Sequence, residues 1–317
     1  MADPCFIVGC PRSGTTLLSV LLDRHPDLSI TPETAFYDEI APHLPVTDPE
    51  ALRRLLGGWR RLAELGLEPE AVIAALPDGV AWPLDGAAVF GAVLEARRQV
   101  GGKPFVGEKT PQHLRHVPRI LADFPAARVV CMMRDGRDVA CSLRDMPWWG
   151  GGAVSGARLW LEAEQQCGDL EAAHPDRFMS VVYEDLVTAP GRVLSTVMVF
   201  LDLSFDPRQL SAETPSGVVL QRSLAWKGEA LEPVRPVRRD RLAATPPQEV
   251  AELVRLMGPT LRRRGYAVTG SGALAAAAVA SSRIEPSASQ IGIRASVRLP
   301  QAERPVERSK ATAQAGQ

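Results

Sequence analysis

The stretch Phe6-Ile-Val-Gly-Cys-Pro-Arg-Ser-Gly-Thr-Thr-Leu-Leu18 constrains the fold more than any other part of the chain. Phe6, Ile7 and Val8 form a short apolar run that a glycine cuts off, the pattern of a buried parallel strand. Gly9 to Gly14 reads as a turn. Leu17, Leu18, Leu21 and Leu22 then fall on one face of a helix. The order is therefore strand, glycine-bounded loop, helix N-terminus. Such an order holds anions, because the first helical turn has free N–H groups and the positive end of the dipole.

The loop is close to a Walker A motif but departs from it. Gly9 and Gly14 keep the G-x-x-x-x-G spacing, and Thr16 stands at the Ser/Thr position. Thr15 stands where that motif has its lysine, and the cation lies inside the loop as Arg12. A single terminal phosphate or phosphosulfate suits this loop better than the β,γ-phosphates of ATP. Arg12, Ser13, Thr15, Thr16 and the loop amides, Gly14 included, are the donors.

A second strand–loop–helix follows at Arg128-Val-Val-Cys-Met-Met-Arg-Asp-Gly-Arg-Asp-Val-Ala-Cys-Ser142. Val129 to Met133 reads as a central strand. Arg134 falls at its end and Ser142 about two helical turns later, so both can face one anion. Between these loops, Leu28 to Thr31 is a short strand signal ended by Pro32, which leaves Glu33 just past a strand end, where open α/β sheets bind ligands. Phe105 to Gly107 is another strand signal, with Glu108, Lys109 and Thr110 expected beyond its end and a proline-started helix after them. His113 and His116 lie three apart with no third ligand, so we assign no metal site. Phe178 to Tyr183 is a late strand signal, with Asp185 as cap of the next helix.

Pro11-Arg-Ser-Gly-Thr-Thr16 resembles the 5′-phosphosulfate loop of sulfotransferases that use 3′-phosphoadenosine 5′-phosphosulfate (PAPS), above all the tyrosylprotein-sulfotransferase-like branch and its bacterial relatives. Glu33, 21 residues after Arg12, matches that family's catalytic glutamate. Gly107-Glu-Lys-Thr-Pro111 is similar to the segment bearing its active-site lysine, here Lys109. Arg134 and Ser142 match the pair that holds the 3′-phosphate, and Tyr183-Glu-Asp-Leu186 resembles a late segment near the nucleotide, with Tyr183 as a donor contact. The resemblance implies an α/β, P-loop-containing nucleotide-binding three-layer sandwich with a central parallel sheet. It also implies an enzyme that moves a sulfuryl group from PAPS, without a metal, to a hydroxyl of a small molecule or peptide. A late basic loop would close on the nucleotide, with Lys227, Arg235, Arg238 and Arg239 as candidates. The alternatives are a P-loop kinase or NTPase, against which Thr15 argues, and a nucleotide-binding protein without catalysis.

Composition bounds the rest. A net charge of −1 over 317 residues gives no global drive toward nucleic acid or anionic membrane. No apolar run approaches the ~20 residues needed to span a bilayer. The five cysteines are odd in number and show no C-x-x-C pair. We read no disulfide framework from them and, with no signal peptide evident at the N-terminus, expect a cytoplasmic protein. Residues 1–268 are expected to form the sulfotransferase-like domain, with a helical insertion over about 43–103. From about 269 the composition turns to Ala, Ser, Gly, Gln and Pro, and a disordered, mildly basic tail is expected.

Overall fold

The computed structural model describes residues 4–214, 216 and 240–268. The expected tail at 269–317 and the late basic candidates Lys227, Arg235, Arg238 and Arg239 lie outside the described residues. Among the described residues five strands form one sheet: β1 (Cys5–Gly9), β2 (Leu28–Ile30), β3 (Phe105–Lys109), β4 (Arg128–Met133) and β5 (Phe178–Val182). The order across the sheet is β2-β3-β1-β4-β5, and every pairing is parallel. Parallel strands need crossovers, and helices supply them. All five carboxyl ends therefore share one edge, with the topological switch at β1, between β3 and β4.

Helices cover both faces. They are α1 (Thr15–Asp23), α2 (Phe36–Glu39), α3 (Pro49–Gly57), α4 (Arg60–Glu64), α5 (Pro69–Ala74), α6 (Gly86–Gly101), α7 (Val117–Asp123), α8 (Gly136–Arg144), α9 (Gly152–Ala173), α10 (Tyr183–Thr188), α11 (Pro190–Phe200), α12 (Asp240–Ala243) and α13 (Pro247–Arg263). On one face Leu18, Leu21 and Leu22 of α1 and Leu194, Val197 and Met198 of α11 bury against Ile7, Val130 and Met132. On the other, Phe90 and Val93 of α6, Ile120 of α7, Leu143 of α8, Trp160 of α9 and Leu253 of α13 bury against Phe6, Val8 and Val129. Alternate residues of β1 thus serve opposite layers, the period of two expected of a strand covered on both sides. The result is the three-layer α/β sandwich that the sequence predicts.

Several local details differ from the sequence reading. Glu108 and Lys109 lie inside β3, not beyond it, because β1 extends the pairing as far as Ile7–Lys109. The segment after Pro111 is a 3-10 turn, Pro111–His116, that leads into α7. Tyr183 opens α10, and Val182 precedes it without a side-chain cap, so Asp185 does not cap that helix. Cys131 on β4 and Cys167 on α9 form a disulfide, which their separation of 36 residues did not reveal. The cysteines therefore no longer argue for a reducing compartment. Cys5, Cys10 and Cys141 are free and buried. Among the described residues no helix is long and apolar enough to cross a membrane.

Candidate active site

The loop after β1 is built on unusual backbone. Arg12 has φ 72° and Gly14 has φ 103°, and Ser13 N–H closes the turn on the carbonyl of Cys10 at 3.1 Å. Gly14 is required twice over. Its φ is left-handed, and a Cβ there would stand 2.4 Å from the ring of Tyr183. Gly14 also precedes α1 without a side-chain cap, so the first N–H groups of that helix, at Thr15 and Thr16, stay available at the loop. The hydroxyl of Ser13 is buried and has no hydrogen-bond partner among the described residues. A buried orphan hydroxyl beside open helical amides fits a loop made to receive an anion. Burial pushes the Cys10 thiol far up, so the loop's cysteine stays protonated and is no nucleophile.

The second loop joins the first. Arg12 Nε donates to Ser142 Oγ of α8 at 3.0 Å, and Arg134 Nη1 reaches the carbonyl of Arg12 at 3.5 Å. The Arg134 guanidinium lies over the Tyr183 ring, 4.4 Å from its centroid, a cation–π contact that fixes its plane. Asp138 stands 3.8 Å from the same guanidinium. Arg12, Ser13, Arg134, Ser142 and Tyr183 therefore form one basic cradle across the ends of β1 and β4. Arg137 does not pair with Asp138. It forms a buried two-pronged pair with Asp135 at 3.0 and 2.6 Å, and Asp135 also caps α8.

Glu33 and Lys109 meet on the other side of β1. Lys109 Nζ donates to Glu33 Oε1 at 2.7 Å; the lysine side chain is 2% exposed and the glutamate 24%. The lysine is thus sealed in the sheet edge while the carboxylate reaches the surface. Glu108, which the sequence reading passed over, holds this arrangement together. Its buried carboxylate accepts from the Thr34 amide (3.2 Å), the Thr34 hydroxyl (2.8 Å), the Thr110 hydroxyl (2.5 Å) and His113 Nδ1 (3.0 Å). Thr110 Oγ1 in turn accepts from Ala35 N–H at 3.1 Å. The segment after β2 is so tied to the end of β3, and Ala35 is held at φ 48°. Burial alone would raise the Glu108 carboxyl, but its contact with the His113 ring and the hydrogen bonds from the Thr110 and Thr34 hydroxyls outweigh it and hold it below the ordinary carboxylate range. From outside, Arg61 of α4 donates to the Glu33 carbonyl at 3.2 Å and pairs with Glu39 at 2.7 Å.

The two histidines serve structure. His113 is fully buried, with Nδ1 on Glu108 and Nε2 facing Tyr37 N–H at 3.4 Å. His116 Nε2 lies 2.7 Å from Asp38.

The model of the Sulfotransferase family matches residues 4–207, close to two thirds of the chain. The chain belongs to the sulfotransferase family. Its matched segment holds both loops, Glu33, Lys109 and Tyr183. A protein-tyrosine sulfotransferase of Drosophila melanogaster is 28% identical over 277 residues, which are 82% of this chain and 51% of that protein. Protein-tyrosine sulfotransferase A of Caenorhabditis elegans is 26% identical over 82% of this chain and 66% of its own length. The chain thus spans about half the length of the first relative and just under two thirds of the second. Among solved structures, the sulfotransferase domain of the Synechococcus PCC 7002 olefin synthase has a TM-score of 0.57 at 23% identity, covering 82% of this chain and 96% of that domain. The sulfotransferase domain from the curacin biosynthetic pathway has a TM-score of 0.52 at 21% identity, covering 85% and 99%. These two likenesses establish the fold.

Glu108 and Ser142 differ in how they can be found. Ser142 follows from its spacing to Arg134. Glu108 has only its place beside Lys109 as a signal, and nothing in the sequence tells a buried scaffold carboxylate from a surface one.

Proposed function

We propose that the protein transfers a sulfuryl group from PAPS to an acceptor hydroxyl. The observation that carries this reading is the buried Lys109 paired with the part-exposed Glu33 at the sheet edge that also bears the anion cradle. A binding protein needs the cradle alone, whereas transfer also needs a base and a cation for the leaving group. Glu33 takes the proton of the acceptor hydroxyl as its oxygen bonds to sulfur. The bond from sulfur to the bridging oxygen breaks, and charge gathers on that oxygen. Lys109, Arg12 and the amides of Gly14, Thr15 and Thr16 stabilise it. Arg134 and Ser142, with Tyr183 beside them, hold the 3′-phosphate, and no step calls on a metal. The acceptor is a hydroxyl of a small molecule or a peptide. The names of the two relatives make a peptidyl tyrosine the first acceptor to try.

The test is calorimetry with 3′,5′-diphosphoadenosine in a chelator. The wild type is expected to bind it, and Arg134→Ala to bind about 10- to 150-fold more weakly, the worth of a charge-assisted contact. Tight binding of Mg²⁺·ATP with none of diphosphoadenosine would replace this reading with a kinase or NTPase.

A further inference from the structure

The turn that carries Arg134 is held by a segment beyond the 4–207 match. Helix α13 ends in a Schellman motif: Tyr266 N–H bonds the Leu261 carbonyl at 2.9 Å and Gly265 N–H bonds that of Arg262 at 3.0 Å, with Gly265 at φ 78°. This reverses the chain and buries Tyr266. Its hydroxyl donates to Glu184 Oε2 at 3.0 Å. The other oxygen of Glu184 accepts the amide N–H of Asp135 at 3.0 Å, one residue after Arg134. Next to it, Ala267 offers its carbonyl to Arg137 Nη1 at 3.1 Å, and Arg137 clasps Asp135. Trp160 Nε1 donates to the Arg134 carbonyl at 3.0 Å from the α9 side. The main chain at 134–137 is therefore fixed from two directions, by α9 and by residues 265–267.

We propose that Gly265-Tyr266-Ala267 is a positioning strap for the donor site, which through Glu184 and Arg137 sets the backbone that aims Arg134. The inference rests on the donor reading of Arg134 given above. The strap touches no reacting atom. It acts on affinity, because a turn that drifts spreads the Arg134 guanidinium over orientations of which few meet a phosphate. Buttressing of α13 alone would lower stability without singling out the donor. Arg264 separates the two roles: it belongs to the same segment, and its 2.6 Å ion pair goes to Glu164 of α9 rather than into the 134–137 turn.

The experiment measures the dissociation constant for 3′,5′-diphosphoadenosine, melting temperature and amide hydrogen exchange in the full chain. Tyr266→Phe should weaken binding about 3- to 30-fold, part of the worth of a hydrogen bond to a charged group, and speed exchange at Asp135–Arg137. Glu184→Ala should do the same. Glu184→Gln should bind close to wild type, since its carbonyl still accepts from Asp135 and its amide still faces the phenol. Arg264→Gln should lower the melting temperature and leave the constant in place. The strap is overturned if Tyr266→Phe and Glu184→Ala bind as wild type does while Arg134→Ala is weakened. It is overturned equally if Arg264→Gln weakens binding as much as Tyr266→Phe. A wild type that binds no diphosphoadenosine removes the donor reading and the strap with it.

Discussion

Glu33 and Lys109 share one hydrogen bond, and the proposed transfer gives them different tasks, so their variants should differ in kind. Glu33→Gln keeps shape and a carbonyl oxygen for Lys109 but cannot accept the acceptor's proton. It should bind diphosphoadenosine normally and lose about 10²- to 10⁴-fold in turnover, the usual worth of a general base. An acceptor with a more acidic hydroxyl should recover part of that loss, because less proton transfer is then needed. Lys109→Ala should also keep the nucleotide but gain much less from such an acceptor, since its defect lies on the leaving oxygen. Steady-state rates with a series of phenols of graded acidity check both; near-normal turnover of Glu33→Gln with every phenol would place the base elsewhere. His113 and His116 are poor substitutes, one sealed against Glu108 and the other engaged with Asp38. At this scale the sequence speaks clearly where chemistry and spacing coincide, as in Arg12, Arg134 and Ser142. It is silent on Glu108, whose role comes from the three-dimensional meeting of Thr34, Thr110 and His113.

Glu108 acts between elements, stitching the segment after β2 to the end of β3, and its consequence is a pH dependence of stability. Its folded carboxyl lies below the ordinary range, so its contribution is full above the unfolded value, about 4.3, and is lost as pH falls through the folded value. Between pH 7 and about 4.3 the melting-temperature gap between wild type and Glu108→Gln should hold steady, and below that it should narrow. A gap that instead narrows on going from neutral to alkaline pH would contradict the lowered carboxyl. The first two strands were legible here because glycine or proline cuts off their apolar runs, as Gly9 does for β1 and Pro32 just past β2, and β4 because its apolar run is long. Their exact ends were not, since pairing with β1 carries β3 on through Glu108 and Lys109. The Cys131–Cys167 disulfide escaped for a similar reason: the contact between α9 and β4 that brings the two cysteines together is set by tertiary packing, not by local spacing.

Across the whole molecule, the boundary of the working unit is set by contacts rather than by the matched stretch. The family match ends at 207, but α13 buries Val250, Leu253, Met257 and Leu261 in the larger core, and Arg137 and Glu184 bind Ala267 and Tyr266. A chain stopped at 207 would expose that core face and lose the Tyr266 and Ala267 contacts, leaving the Arg134 turn held from the α9 side. Residues 269–317 are poor in large apolar side chains, and we expect them to be dispensable for the fold. Two truncations then bracket the boundary. A chain ending at Val268 should unfold cooperatively and bind diphosphoadenosine as the full chain does. A chain ending at Arg263 keeps α13 but lacks the strap, so it should still fold, melt at a lower temperature and bind diphosphoadenosine more weakly than the chain ending at Val268. Thermal melts and calorimetry on the pair make the comparison: equal affinity in both would confine residues 264–268 to stability, and a loss of cooperative unfolding already at Val268 would give the remaining residues a structural part.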